Sequence, residues 1–231
     1  MIAAIYKKIL AKPLFRHIST VFIWDSVAKF IGAITTILLI RVLPQNDYAL
    51  YTFFYAAGAL FVGVIANGID MAYVRFASEE YSRKGKMPND IFIFSILLCL
   101  FFYLILAPII LLFRTALSEL MFRDRLFSSP LLLGFFFSFP PILTIFVTRY
   151  YQVQERYKRA GALFSLDKFV FLFFLLCFIF ISQSFSFMKV AVVQVVLSCV
   201  FGIFLISYIF RRDLSFTKFD LQAKRFFYYI G

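Results

Sequence analysis

Five long runs of the chain carry no charged side chain: Tyr48–Ile69, Ile91–Phe113, Leu126–Thr148, Phe169–Met188 and Val190–Phe210. A helix crossing the hydrocarbon core of a bilayer takes about 20 mostly apolar residues, so each run has spanning length. A sixth stretch, about Ile18–Leu43, is equally apolar but holds Asp25 and Lys29 within it and Arg41 at its edge. Apolar residues fill the runs continuously instead of alternating, which excludes the strands of a membrane barrel. The pattern predicts an all-α polytopic membrane protein, a bundle of six transmembrane helices. A short amino-terminal segment (1–17) precedes the bundle (18–210), and an amphipathic tail or linker (211–231) follows it. Pro44 forces a turn after the first span. Lys189 and the polar stretch Ser182–Ser186 separate the last two spans.

Composition agrees with a lipid solvent. Hydrophobic residues make up 63% of the 231 positions, Phe occurs 35 times, and only 16% of residues are charged. A water-soluble domain is about 45–50% apolar and about 25% charged. The formal net charge of +12 does not imply nucleic acid, because the basic residues sit in short segments between apolar runs and no nucleic-acid motif is present. Their distribution predicts orientation instead. With the amino terminus inside, the inner segments hold 17 Lys and Arg and the outer ones 5. Both termini are therefore expected in the cytoplasm of a bacterial cell, with the protein in its inner membrane. The start of the chain resembles a signal-peptide n-region, but no small-residue cleavage site follows, so it reads as a retained first helix. Cys99, Cys177 and Cys199 lie inside apolar runs and read as packing residues.

Candidate chemistry concentrates where charge enters apolar runs. Asp25, Lys29, Gly32 and Thr36 recur at helical spacing and share one face. Ala28, Gly32 and Thr36 place small residues every fourth position, a pattern for close helix packing. A charge at the bilayer centre costs at least about 2.5–3.5 kcal/mol, so Asp25 and Lys29 read as a buried ion pair or as the wall of a wet, substrate-contacting cavity. Asp70, near the inner end of the second span, sits at the interface or faces the same cavity. Asp167 and Lys168 are expected to begin the fifth helix, where an acidic residue favours the helix amino terminus. Arg149, Gln152, Arg156 and Arg159 share a helical spacing, as a topology signal or as a landing strip for phosphate. Pro140-Pro141 are expected to kink the fourth span, as a packing feature or a hinge. The tail's Phe216, Phe219, Leu221, Phe226 and Phe227, set among Lys and Arg, suit a helix lying in the interface plane. No Gly-rich phosphate loop, HExxH or GxSxG is present, so the expectation is no enzyme, no cofactor and no metal. Any transport would draw on an ion, voltage or substrate gradient.

The stretch Thr35–Tyr51, TTILLIRVLPQNDYALY, resembles the first-loop pattern of polysaccharide-type flippases in the multidrug/oligosaccharidyl-lipid/polysaccharide exporter superfamily. Those proteins commonly read Arg-x-Leu-Gly-Pro-x-x-Tyr-Gly-Leu-Tyr. Arg41, Leu43, Asp47, Tyr48, Leu50 and Tyr51 match in kind, whereas Pro44 and Ala49 depart from glycine positions. Asn67–Asp70 and Ala72–Phe76 resemble the family's second-helix end. The resemblance implies a flippase that moves a lipid-linked oligosaccharide, a polyprenyl-pyrophosphate sugar unit, for surface polysaccharide such as lipopolysaccharide. It implies a cationic cavity to which Asp25, Lys29, Asp70 and Arg149 are candidate contributors, with a polar groove between the first two helices. Six helices correspond to one lobe of a two-lobed flippase, so the partners expected are membrane lipids and a second six-helix half or a homo-oligomer. Another secondary transporter, such as a drug/cation antiporter, and a non-transporting membrane assembly protein are the alternatives.

Overall fold

The computed structural model describes residues 13–181 and 185–212. The basic start of the chain, Ser182–Ser184 of the last loop and the amphipathic tail from residue 213 lie outside them. Within the described residues the structure is helical, without strands, and six helices have the length and composition to cross a membrane. They are α1 (Pro13–Val42), α2 (Gln45–Lys84), α3 (Asn89–Phe122), α4 (Ser128–Val153), α5 (Tyr157–Ile181) and α6 (Phe187–Arg212), with a 3-10 turn at Arg125–Phe127. The links between them are only a few residues long, so successive helices alternate in direction. The starts of α1, α3 and α5 and the ends of α2, α4 and α6 share one end of the bundle, the basic end.

Several boundaries differ from the uncharged runs. Helix α2 has 40 residues, about 60 Å at 1.5 Å per residue, roughly twice the hydrocarbon thickness. Helix α5 begins at Tyr157 and not at Asp167, so about three turns precede Asp167 and Lys168 and place both inside the span. Phe187 and Met188 open α6 instead of closing α5. Helix α4 ends at Val153, so Arg156 lies in a link and Arg159 in the first turn of α5. The expected four-residue face with Arg149 and Gln152 is thus broken. Glu155 makes the break, its φ of 59° turning the chain in the left-handed region. Charge delimits a span only where lipid must solvate it. A protein neighbour lifts that limit.

Packing is arranged around α4. It touches α2, α3, α5 and α6, while α1 lies on the outside of α5 and touches α2 little. Hydropathy alone misorders this arrangement. The most apolar window of α3 (hydropathy 3.0) is 11% buried in the bundle, and that of α4 (hydropathy 2.0) is 61% buried. Lipid is as apolar as a protein core, so helix association rests on close packing and internal hydrogen bonds. Gly134 supplies the closest approach: a Cβ there would stand 2.7 Å from the Phe54 carbonyl oxygen and 3.0 Å from the Gly58 nitrogen. Helix α4 stays helical through Pro140 and Pro141, and Gly202 of α6 packs directly on Pro140. Between helices, the Tyr51 hydroxyl donates to Gln194 (2.6 Å) and the Tyr103 hydroxyl donates to the Phe135 carbonyl (3.2 Å). The Cys99 thiol donates to the Ile65 carbonyl at 3.7 Å. At the end opposite the basic loops, Asp47 in the first turn of α2 accepts from the Phe187 backbone N–H at 3.0 Å. It caps α6 from a neighbouring helix, satisfying one of the orphan donors of a helix start.

Candidate functional site

A cleft of about 590 Å³ opens between α1, α4 and α5 near the basic end. This is not the expected groove between α1 and α2, because α1 leans on α5 instead. Two contacts seat α1 there. A Cβ at Gly161 would fall 2.5 Å from the Trp24 ring, so the bare glycine lets Trp24 press against α5. The Ser165 hydroxyl lies within hydrogen-bond distance of the Trp24 carbonyl (3.0 Å) and of the carbonyl of Gly161 (3.1 Å).

The walls of the cleft are mostly apolar, with Val21, Phe22, Ile145 and Phe164 among them. Polar side chains interrupt them: Tyr157 at the start of α5, Asp25 from α1, and Thr148, Arg149 and Gln152 from α4. Spacing along α4 explains the last set, since residues i, i+1 and i+4 lie on adjoining strips of a helix. Arg149 is held from two sides. Its Nε donates to Asp70 Oδ2 of α2 at 3.0 Å, and its Nη1 donates to Gln152 Oε1 at 2.9 Å. These bonds use two of the five N–H donors of a guanidinium. The Asp70 side chain is only 6% exposed, whereas that of Arg149 is 30% exposed. The carboxylate thus acts from behind, and the cation reaches the cleft. Asp70 Oδ1 and the Thr148 hydroxyl oxygen are both buried without a hydrogen-bond partner among the described residues.

The four candidate residues are therefore distributed as follows. Asp25 and Arg149 line one cleft, Asp70 stands behind Arg149, and Lys29 is not in the cleft wall. Lys29 pairs with Asp25 at 2.7 Å, but the pair is not buried: the side chains are 77% and 44% exposed. The face that α1 buries is Ala28, Ile31, Thr35 and Leu39. Gly32 has open space around it and Thr36 is exposed, so the small-residue stripe does not pack against another helix along its length. A lysine at spanning depth, largely exposed and paired with a carboxylate of its own helix, demands water, a ligand or another polypeptide, because lipid solvates it poorly.

A second charged cluster appears where the sequence suggested only a helix start. Lys168 Nζ lies 3.7 Å from Asp167 Oδ2 and 3.4 Å from the Tyr55 hydroxyl of α2. The signal was present in the sequence, as two charges ten residues beyond the basic loop, but it was hidden by beginning the span after the last charge. No group of three or more His, Cys, Asp or Glu able to hold a metal occurs among the described residues.

Over residues 14–229 the chain matches the family described as polysaccharide biosynthesis protein. No curated protein and no solved structure matches it. The match covers most of the chain, and the protein belongs to that family, a multi-pass membrane protein.

Proposed function

We propose, with that family membership as the premise, that the chain carries a lipid-linked oligosaccharide across the bacterial inner membrane, with its basic end and both termini cytoplasmic. The single observation that carries this reading is Arg149, a guanidinium fixed by Asp70 and Gln152 at the wall of an otherwise apolar cleft. An amphiphile with a phosphate-bearing head and a hydrocarbon tail has matching chemistry. Arg suits the geometry of phosphate oxygens, and the apolar walls accept isoprenoid. Thr148 lines the cleft beside Arg149, and its hydroxyl, buried and without a partner among the described residues, would reach the head by rotation of the side chain.

Depth supports an entry role. Counted from the far ends of their helices, Arg149 lies about 32 Å and Asp25 about 26 Å along, near the boundary of a hydrocarbon core about 30 Å thick. The cleft thus sits where a headgroup resides before crossing. The inner face assigned to that end follows from the excess of Lys and Arg in its loops. Movement of the head would proceed by alternating access, without covalent chemistry. Lys29, exposed on α1 beyond the cleft and paired with Asp25 of its wall, would be met by the head or by a second helical unit as the path continues.

The test uses Arg149→Lys, which keeps the charge but loses the fork, together with Thr148→Val and Lys29→Ala, in cells that depend on this chain for surface polymer. At equal membrane levels, Arg149→Lys is expected to reduce surface polysaccharide and to accumulate lipid-linked oligosaccharide on the inner leaflet. Full polymer with no accumulation in all three variants would refute the reading. Labelling that places the loop near residue 85 outside would refute the orientation.

A further inference from the structure

Lys168 stands near the middle of α5. It lies about 20 Å along α5 from the far end of that helix, and Tyr55 lies about 15 Å along α2 from the same end. Both estimates put the ammonium near the middle of a hydrocarbon core about 30 Å thick. The α1–α5 register agrees. Trp24 packs at the level of Gly161 and Ser165, and these helices run in the same direction, so Lys29 falls at the level of Lys168. Two cations on neighbouring helices therefore occupy one depth, with no other basic side chain in α5 between Lys168 and Ile181.

The ammonium of Lys168 is held loosely, 5.8 Å from the centre of the Tyr55 ring. Its carboxylate neighbour stands at 3.7 Å and its hydroxyl neighbour at 3.4 Å, beyond the 2.7–2.9 Å or so of a charge-assisted hydrogen bond. Lys29, by contrast, has its carboxylate at 2.7 Å. Asp167 adjoins Lys168 in sequence and so projects to a different side of α5, which prevents closer pairing. Tyr55 is steadied from behind by Phe137, ring centroids 5.7 Å apart. The Lys168 side chain remains 30% exposed, so its face is open to whatever fills the space beside α2 and α5.

We infer that Lys168, with the Tyr55 hydroxyl as a second donor, forms a mid-bilayer station for a phosphate-bearing anion, separate from the cleft at Arg149. An ammonium with three donors and a phenol donor suits phosphate oxygens, whereas a neutral sugar gains little from a loosely paired cation. The phosphates of resident lipids lie at the interface, about 15 Å away, half the hydrocarbon thickness. An anion reaching Lys168 is therefore in transit, or enters from water as a soluble ion. The station deepens the transport reading and rests on it for the identity of the anion. Asp167 keeps the empty station from presenting a bare positive charge to the membrane.

The experiment uses the whole chain in lipid nanodiscs with three radiolabelled probes: a polyprenyl diphosphate, the corresponding polyprenol and inorganic pyrophosphate. Lys168→Met is compared with wild type and Lys168→Arg. Asp167→Asn/Lys168→Met, which leaves no uncompensated charge, serves where the single variant fails to fold. Polyprenyl diphosphate is expected to bind the neutral variants roughly tenfold or more weakly, the loss of one charge-assisted hydrogen bond. Lys168→Arg should bind it within a few-fold of wild type, and polyprenol should not discriminate. Equal binding of the diphosphate lipid to wild type and neutral variants overturns the station while leaving the transport reading in place. If only inorganic pyrophosphate binds, and does so through Lys168, the station stands for a soluble anion and the transport reading falls. If no phosphate probe depends on Lys168, the station is refuted.

Discussion

The pair of Asp70 and Arg149 is the sharpest place to test how the site is built. Asp70 is almost fully enclosed, and its Oδ1 already lacks a hydrogen-bond donor among the described residues. Arg149 Nε stands 3.0 Å from Oδ2. Charge centres about 4 Å apart attract by about 4 kcal/mol at an effective dielectric of 20. The partial exposure of Arg149 screens part of this, so a coupling of about 2 kcal/mol is expected, a factor of roughly 30. The two single losses are unequal. Arg149→Gln strands a carboxylate inside the bundle and should cost about 3 kcal/mol, the low end for breaking a buried pair. Asp70→Asn leaves a cation that can turn to the cleft, and its amide oxygen still accepts from Nε, so about 1 kcal/mol is expected. The double variant should then cost less than the sum of the singles by the coupling energy. Equilibrium unfolding in mixed micelles, run as a double-mutant cycle, measures all four corners. Additive effects, or a larger loss for Asp70→Asn than for Arg149→Gln, would refute the picture of a carboxylate holding the cation from behind.

Three further outcomes follow from the packing. Gly134→Ala drives a methyl into the Phe54 carbonyl and the Ala57 side chain, 2.7 and 2.9 Å away, and should cost about 1–3 kcal/mol on the same unfolding scale. Gly32→Ala, with nothing within 4 Å, should be neutral or slightly stabilising through helix propensity, so equal behaviour of the two variants would contradict the α2–α4 approach. Asp47→Ala removes the cap on α6 and should cost about 1 kcal/mol. Its most direct readout is faster amide hydrogen exchange at Phe187.

Much of this architecture is legible in the order of residues, because a bilayer imposes one demand that local sequence can meet alone. Backbone groups in hydrocarbon must be satisfied within their own segment, so an apolar run of sufficient length is a helix whatever its neighbours. Six spans, the turn at Pro44 and the family resemblance through Arg41–Tyr51 are all local in this sense. Two of the matched residues, Asp47 and Tyr51, have structural partners on α6 that no local pattern reveals.

Partner choice is the part that local pattern leaves open. Lipid and protein core are equally apolar, so hydropathy ranks α3 above α4 although α4 is the helix that α2, α3, α5 and α6 pack around. The direction in which α1 leans was likewise open. It depends on Gly161 being bare enough to receive Trp24, a fact of two surfaces meeting 137 residues apart in the chain. The same holds for the charges. Asp70 and Arg149 are 79 residues apart, and Lys168 meets Tyr55 across 113. Spacing along one helix shows which side chains share a face, but what a buried charge is worth depends on the helix brought against it.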